Sequence, residues 1–193
     1  MCISRFFFLI IIFSFQTMAQ DLPFSSLPEA PKEFTATNSI SRMIQGLGFR
    51  YYWATEGLRP TDLVYRPTVE AQSTLGTLQH IYSLSKTILN AAQNQPSMRP
   101  EPPAPEDFST LRTATLHQLQ EASRLFLDTK DEALQELQII FDREGEQSRF
   151  PLWNLINGPI ADALYHTGQV VSFRRSSGNP IPKGVNVFLG IKN

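Results

Sequence analysis

Cysteine is nearly absent from this chain: Cys2 is the only one in 193 residues. A disulfide framework, a thiolate metal cluster and a cysteine nucleophile in the body of the protein are thereby excluded, so stability has to come from packing. Histidine is scarce as well, with only His80, His117 and His166. A strong charge of one sign is missing: 17 basic and 18 acidic residues leave a formal −1. That removes the electrostatic footprint of a nucleic-acid partner. No glycine-rich phosphate loop, serine elbow or internal repeat can be read from the chain. The apolar run Phe6 to Phe15 is only about half of the roughly 20 residues that a spanning helix needs.

That run follows Arg5 and gives way to Gln16-Thr17-Met18-Ala19-Gln20. A basic start, a short apolar stretch and small residues at positions 17 and 19 predict a cleaved export signal over residues 1–19. The mature protein is then expected to begin near Gln20, to be periplasmic or extracellular, and to have no membrane attachment after cleavage. Cys2 leaves with the signal, and it stands before the apolar run, where a lipoprotein anchor would need it after.

What is present is a composition of 41% hydrophobic and 18% charged residues, enough for one domain with a substantial core. Residues 20–37, with Pro23, Pro28 and Pro31, read as an extended lead-in without a fold of its own. Residues 38–193 read as the domain. Ile40, Met43, Ile44, Leu47, Tyr51, Ala54 and Leu58 recur at helical spacing, with Asn38 or Ser39 as N-cap and Gly57 near the end. Gly46 and Gly48 weaken this first helix slightly. A second helix is expected from about Val69 to Ala92 with Thr68 as its N-cap. Its main stripe is Ala71, Leu75, Leu78, Tyr82 and Leu89, widened by Ile81, Leu84 and Ile88.

The five prolines between Gln93 and Asp107 predict an extended crossover. A third helix follows from Phe108, with Leu111, Thr115, Leu119, Ala122 and Phe126 facing the core and His117 on the surface. Residues 128–150 admit two readings: a short helix over Glu132 to Phe141, or a strand over Gln138 to Gly145 entering a turn. The last helix is expected to start at Pro151, to kink at Gly158-Pro159 and to end near Ser176. Arg174 and Arg175 then sit at its negative end, and an extended tail follows from Asn179. The fold class predicted is all-α: a four-helix bundle with a proline-rich crossover between helices two and three and an extended C-terminal tail.

The chemistry-bearing residues lie on two of these helices. Asp162 and His166 are four residues apart, which places both side chains on one helix face, one turn from each other. A carboxylate and an imidazole so placed can chelate a divalent metal or act as an acid/base pair, and a third ligand would have to come from another helix. His80, flanked at helical spacing by Gly76, Thr77 and Ser83, is the candidate. The plain alternative is a half-buried histidine bonded to a backbone carbonyl.

Tyr51-Tyr-Trp-Ala-Thr-Glu-Gly-Leu58, Asp62-Leu-Val-Tyr-Arg-Pro67, Ser73 through Leu78-Gln-His80, and Asp162 through His166-Thr-Gly-Gln169 with Arg174 and Gly178 together resemble the DinB-like superfamily. The resemblance spans nearly the whole mature chain. It implies a four-helix bundle that binds one divalent metal, zinc, nickel or iron, through His80, His166 and the position held by Asp162, with Gln169 supporting the site from behind. The family pattern usually has histidine where this chain has Asp162; a carboxylate is still a competent ligand. The resemblance further implies a metal-dependent hydrolase or transferase acting on a small molecule, and export argues against the cytoplasmic thiols that some members use. The other reading is a non-catalytic binding or assembly bundle that has lost the metal. A homodimer is expected from the same resemblance, with Phe49, Tyr52 and Trp53 as aromatic surface outside the stripe of helix one, unless these rings cover the chain's own loops or tail.

Overall fold

A computed structural model describes residues 21–193; the expected export signal lies outside the described residues. In chain order the elements are α1 (Ala36–Thr55), the single turn α2 (Pro60–Leu63), α3 (Thr74–Ala92), β1 (Pro96–Met98), α4 (Phe108–Asp128), a 3-10 stretch (Asp131–Glu136), β2 (Gln138–Arg143) and β3 (Glu146–Pro151). The short α5 (Trp153–Leu155), a π-helical turn (Ile156–Ile160), α6 (Ala161–Ser176), β4 (Val185–Asn186) and β5 (Ile191–Lys192) complete the chain. Helix dominates, yet the all-α expectation needs correction. β1 pairs in parallel with β2, β2 pairs antiparallel with β3, and β4 pairs antiparallel with β5.

The long helices α1 and α3 each pack against both α4 and α6. Ile44, Leu47, Leu78, Ile81, Leu119 and Val170 are among the fully buried side chains between them, each contributing about 1.5–3 kcal/mol by leaving water. On α4 the buried residues include all of Leu111, Thr115, Leu119, Ala122 and Phe126, as the periodicity predicts. On α3 the buried line runs through Leu78, Ile81 and Ile88, while Tyr82 and Leu89 are only partly covered. The stripe is therefore rotated from the predicted one, because α3 contacts two helices and its covered arc centres between them.

Helix starts also differ, for reasons of capping. The Thr35 hydroxyl accepts from Asn38 N at 3.2 Å, and the Asp131 carboxylate accepts from Ala36 N at 3.0 Å and Thr37 N at 2.9 Å. A local cap and a distant one together start α1 earlier than Ser39. α3 starts at Thr74 rather than Val69, because Ser73 is its N-cap and accepts from Gly76 N at 3.1 Å.

Both readings of residues 128–150 hold in part: the 3-10 stretch precedes a hairpin turned at Glu144 and Gly145, whose φ values of 54° and 94° favour glycine and few other residues. Pro151 closes β3 instead of opening a helix. The break at Gly158-Pro159 is present: Gly158 leaves the helical region at φ −94°, ψ −107°, and Pro159 lies within a π turn, having no N–H to donate. The tail is not merely extended, since β4 and β5 pair and Leu27 N donates to Gly190 O at 2.7 Å.

The lead-in is also part of the fold. Phe24 is buried with its ring on Gly48, where any Cβ would collide with it. The glycine that weakens α1 locally thus makes a seat for a distant ring. Phe49 is fully buried, Tyr52 lies under the Arg112 guanidinium, and Trp53 donates to the Ser25 carbonyl at 3.1 Å beside Lys192. Phe49 is thus withdrawn from the surface, while Tyr52 and Trp53 are half-buried against the chain's own segments.

Candidate metal centre

α3 and α6 lie side by side, and their contact brings together the three residues singled out by spacing. The π turn before α6 resets the helix phase, so that Asp162 falls in the first turn of the new helix and His166 one turn later. Asp162 bridges the two rings. Its Oδ2 lies 3.2 Å from His80 Nε2 and its Oδ1 lies 3.3 Å from His166 Nε2. The imidazoles meet edge to face with centroids 4.6 Å apart. One ligand atom from each of the three residues falls within 4.8 Å of the other two.

His80 therefore faces a carboxylate and not a backbone carbonyl. The side chains of His80, Asp162 and His166 are 41%, 43% and 21% exposed, so the cluster is open to solvent on one side. His117 stands elsewhere, on α4 beside Gln120, as expected.

Gln169 sits behind His166, with Oε1 2.7 Å from Nδ1. Where the amide oxygen accepts from Nδ1, the neutral ring carries its lone pair on Nε2. That lone pair faces a carboxylate oxygen: acceptor against acceptor. In that tautomer a positive charge, as a proton or as a cation shared by both groups, makes the contact favourable. With one ligand atom from each residue within 4.8 Å of the other two, the three are close enough to hold one ion between them. By donor chemistry and spacing, the residues fit a divalent cation.

Tyr165 was not foreseen in this role. It is 65% exposed, and its ring meets that of His166 edge-on at 5.3 Å. Adjacent residues on a helix point about 100° apart, so spacing gives no hint of this contact. The crossover also reaches the neighbourhood: Ser83, one turn after His80, donates its hydroxyl to Glu101.

A second polar cluster occupies the far end of α6. Asp62 is buried and accepts from Arg59 Nε at 2.9 Å, Ser177 Oγ at 2.7 Å and Asn179 Nδ2 at 2.6 Å. The Arg59 hydrogen bond leads in holding its carboxyl far below the usual carboxylate range. Arg174, expected to complement the end of its own helix, is instead 2% exposed and donates to the carbonyls of Trp53, Ala54, Glu56 and Asn179 at 2.8–3.2 Å. It caps the C-terminus of α1, whose orphan carbonyls need donors. Burial works against its charge, and Asp62 nearby supports it.

No protein-family model matches the chain, and no curated protein or solved structure matches it either. The functional reading rests on the sites themselves. Among the described residues no helix is long and apolar enough to cross a membrane.

Proposed function

We propose that this protein is an exported, DinB-like four-helix-bundle protein that binds one divalent cation through His80, Asp162 and His166, and that it acts as a metal-dependent hydrolase or transferase on a small molecule. The observation that carries the metal reading is the convergence of His166 Nε2 and His80 Nε2 on the Asp162 carboxylate at 3.3 and 3.2 Å, with one ligand atom of each residue within 4.8 Å of the others. The bundle reading is supported by the pairing of α1 and α3 with both α4 and α6, and the export reading by the arrangement of Arg5, the apolar run and Ala19.

His80 and His166 supply neutral imidazole lone pairs, and Asp162 supplies one negative charge. Gln169 Oε1, 2.7 Å from His166 Nδ1, favours the tautomer protonated there, which holds Nε2 ready as a ligand. When bound, a divalent cation supplies Lewis acidity, polarising a carbonyl or phosphoryl oxygen or acidifying water at an open position. Three protein ligands and a half-exposed face leave such a position. One carboxylate against two positive charges leaves the centre net positive, which favours an electron-rich substrate group. Protons compete for both imidazoles, so acid releases the cation.

Elemental analysis of protein purified without chelators tests this directly. One equivalent of metal is expected in wild type, with loss of most of it in His80→Ala and in His166→Ala, on the order of 100-fold in affinity or more. Equal metal in all three proteins, or none in wild type after incubation with zinc, nickel or iron, defeats the reading. Metal present with no hydrolase or transferase activity on a panel of small esters, amides and thiols leaves a binding bundle.

A further inference from the structure

Away from the metal centre, the first turns of α1, the 3-10 stretch, the end of β3 and α5 enclose a groove of about 710 Å³. That is within the range of roughly 300–1,000 Å³ typical of small-molecule sites. Its walls are apolar, with Ile40 and Met43 from α1, Leu134 and Leu137 from and after the 3-10 stretch, and Phe150 and Trp153 at the lips. Ile40 is buried, while Phe150 is 40% and Trp153 77% exposed. Two large rings are thus left in water at the edge of a space that an apolar body would fill.

The groove has two charged lining residues, Asp131 and Arg149, and they differ in what already satisfies them. The Asp131 carboxylate is occupied by the N-terminus of α1, taking hydrogen bonds from Ala36 N, Thr37 N and Thr37 Oγ1, and these hold its carboxyl below the ordinary range. Arg149 donates only to neutral amides, Gln138 Oε1 at 3.2 Å and Gln147 Oε1 at 2.7 Å. Among the described residues it has no carboxylate partner. The two glutamines hold the guanidinium in place and leave part of its five-donor fork and all of its charge uncompensated.

We propose that this groove binds a small amphiphile with a carboxylate head and an apolar chain or ring, the head paired with Arg149 and the body lying between Met43, Leu134, Phe150 and Trp153. Charge selects the head, since the anion already present, Asp131, is consumed by the α1 terminus. The apolar walls select the body. Neither feature involves His80, Asp162 or His166, so the site is independent of the metal centre.

Calorimetric titration of the full chain with decanoate, in parallel with uncharged decanol and with and without a chelator, tests the assignment. Decanoate is expected to bind one site per chain, to change Trp153 fluorescence in a Trp53→Phe background, and to bind equally well with the chelator present. Arg149→Gln, at an exposed position that keeps the fold, is expected to weaken decanoate roughly tenfold, the loss of one charge-assisted pair, and to leave decanol unchanged. Several results overturn the proposal: no binding, equal affinity for decanoate and decanol, or indifference to Arg149→Gln. Binding abolished by the chelator would place the carboxylate at the metal centre instead. Self-association that decanoate does not disrupt would assign the groove to a second copy of the chain.

Discussion

The two polar clusters on α6 are some 18 Å apart along the helix, from twelve residues at about 1.5 Å each, and they are finished to different degrees. Around Asp62 and Arg174 the chain itself supplies the partners: Arg59, Ser177 and Asn179 on the carboxylate, four carbonyls on the guanidinium. Around Asp162 the chain brings two imidazoles to one carboxylate, orients one of them with Gln169, and leaves the group half-exposed. A satisfied buried network fixes a structure, whereas an oriented, open set of lone pairs invites a ligand from outside. A single helix thus carries a closed network at one end and an open cluster at the other.

The largest loss is expected at Arg174. Arg174→Met removes a charged donor from the end of α1 and should cost about 3–4 kcal/mol, seen as a fall in Tm of roughly 10 °C for a chain of this size. Metal content should not change. A variant that melts like wild type would show that the cluster is not what holds α1 to α6.

Asp62→Asn comes next, at about 2–3 kcal/mol, less than a fully buried pair because Arg59 is half in water. Asp62 also predicts a direction with pH. Its carboxyl is depressed in the folded state, so the stability it adds is fully present above the unfolded value of about 3.9 and is lost as pH falls below it. Denaturation curves at successive pH values should show wild type losing stability below about pH 4 and Asp62→Asn losing less. Parallel acid losses in the two proteins would contradict this.

At the open cluster the corresponding change is milder. Gln169→Ala frees the His166 tautomer and should weaken zinc binding roughly tenfold while leaving Tm of the metal-free protein nearly unchanged, because the ring it supports is part-exposed. Gln169→Glu, which still accepts from Nδ1, should restore binding. Competition against a chromophoric chelator reads both.

The smallest effect belongs to Tyr51, a buried group belonging to neither cluster. Among the described residues its hydroxyl closes no hydrogen bond, and burial pushes the phenol up to about 12, outweighing the lowering influence of Thr115 and Arg112 nearby. The unfolded chain ionises near 10, so the folded state holds the proton longer and stability falls as pH rises from about 10 towards 12. Tyr51→Phe should change stability by less than about 1 kcal/mol at pH 7 and flatten that alkaline loss. A large loss at neutral pH would mean that the hydroxyl has a partner.

Periodicity and spacing determined much by themselves. The stripe of α4, the kink at Gly158-Pro159, the extended proline-rich crossover and the pairing of Asp162 with His166 are local matters, governed by 3.6-residue repetition and by the missing N–H of proline. Residue scarcity narrowed the third ligand, since only His80, His117 and His166 exist. Tertiary structure decided what depends on partners distant in the chain. α1 starts early because Asp131 caps it from 95 residues away, Gly48 is tolerated because Phe24 occupies the space, and Arg174 leaves its own helix end to satisfy the carbonyls of another. The short sheet forms because β1, within the proline-rich crossover, meets a hairpin more than 40 residues later. Backbone donors and acceptors left over by one segment are satisfied wherever packing brings a partner, and no local pattern encodes that meeting.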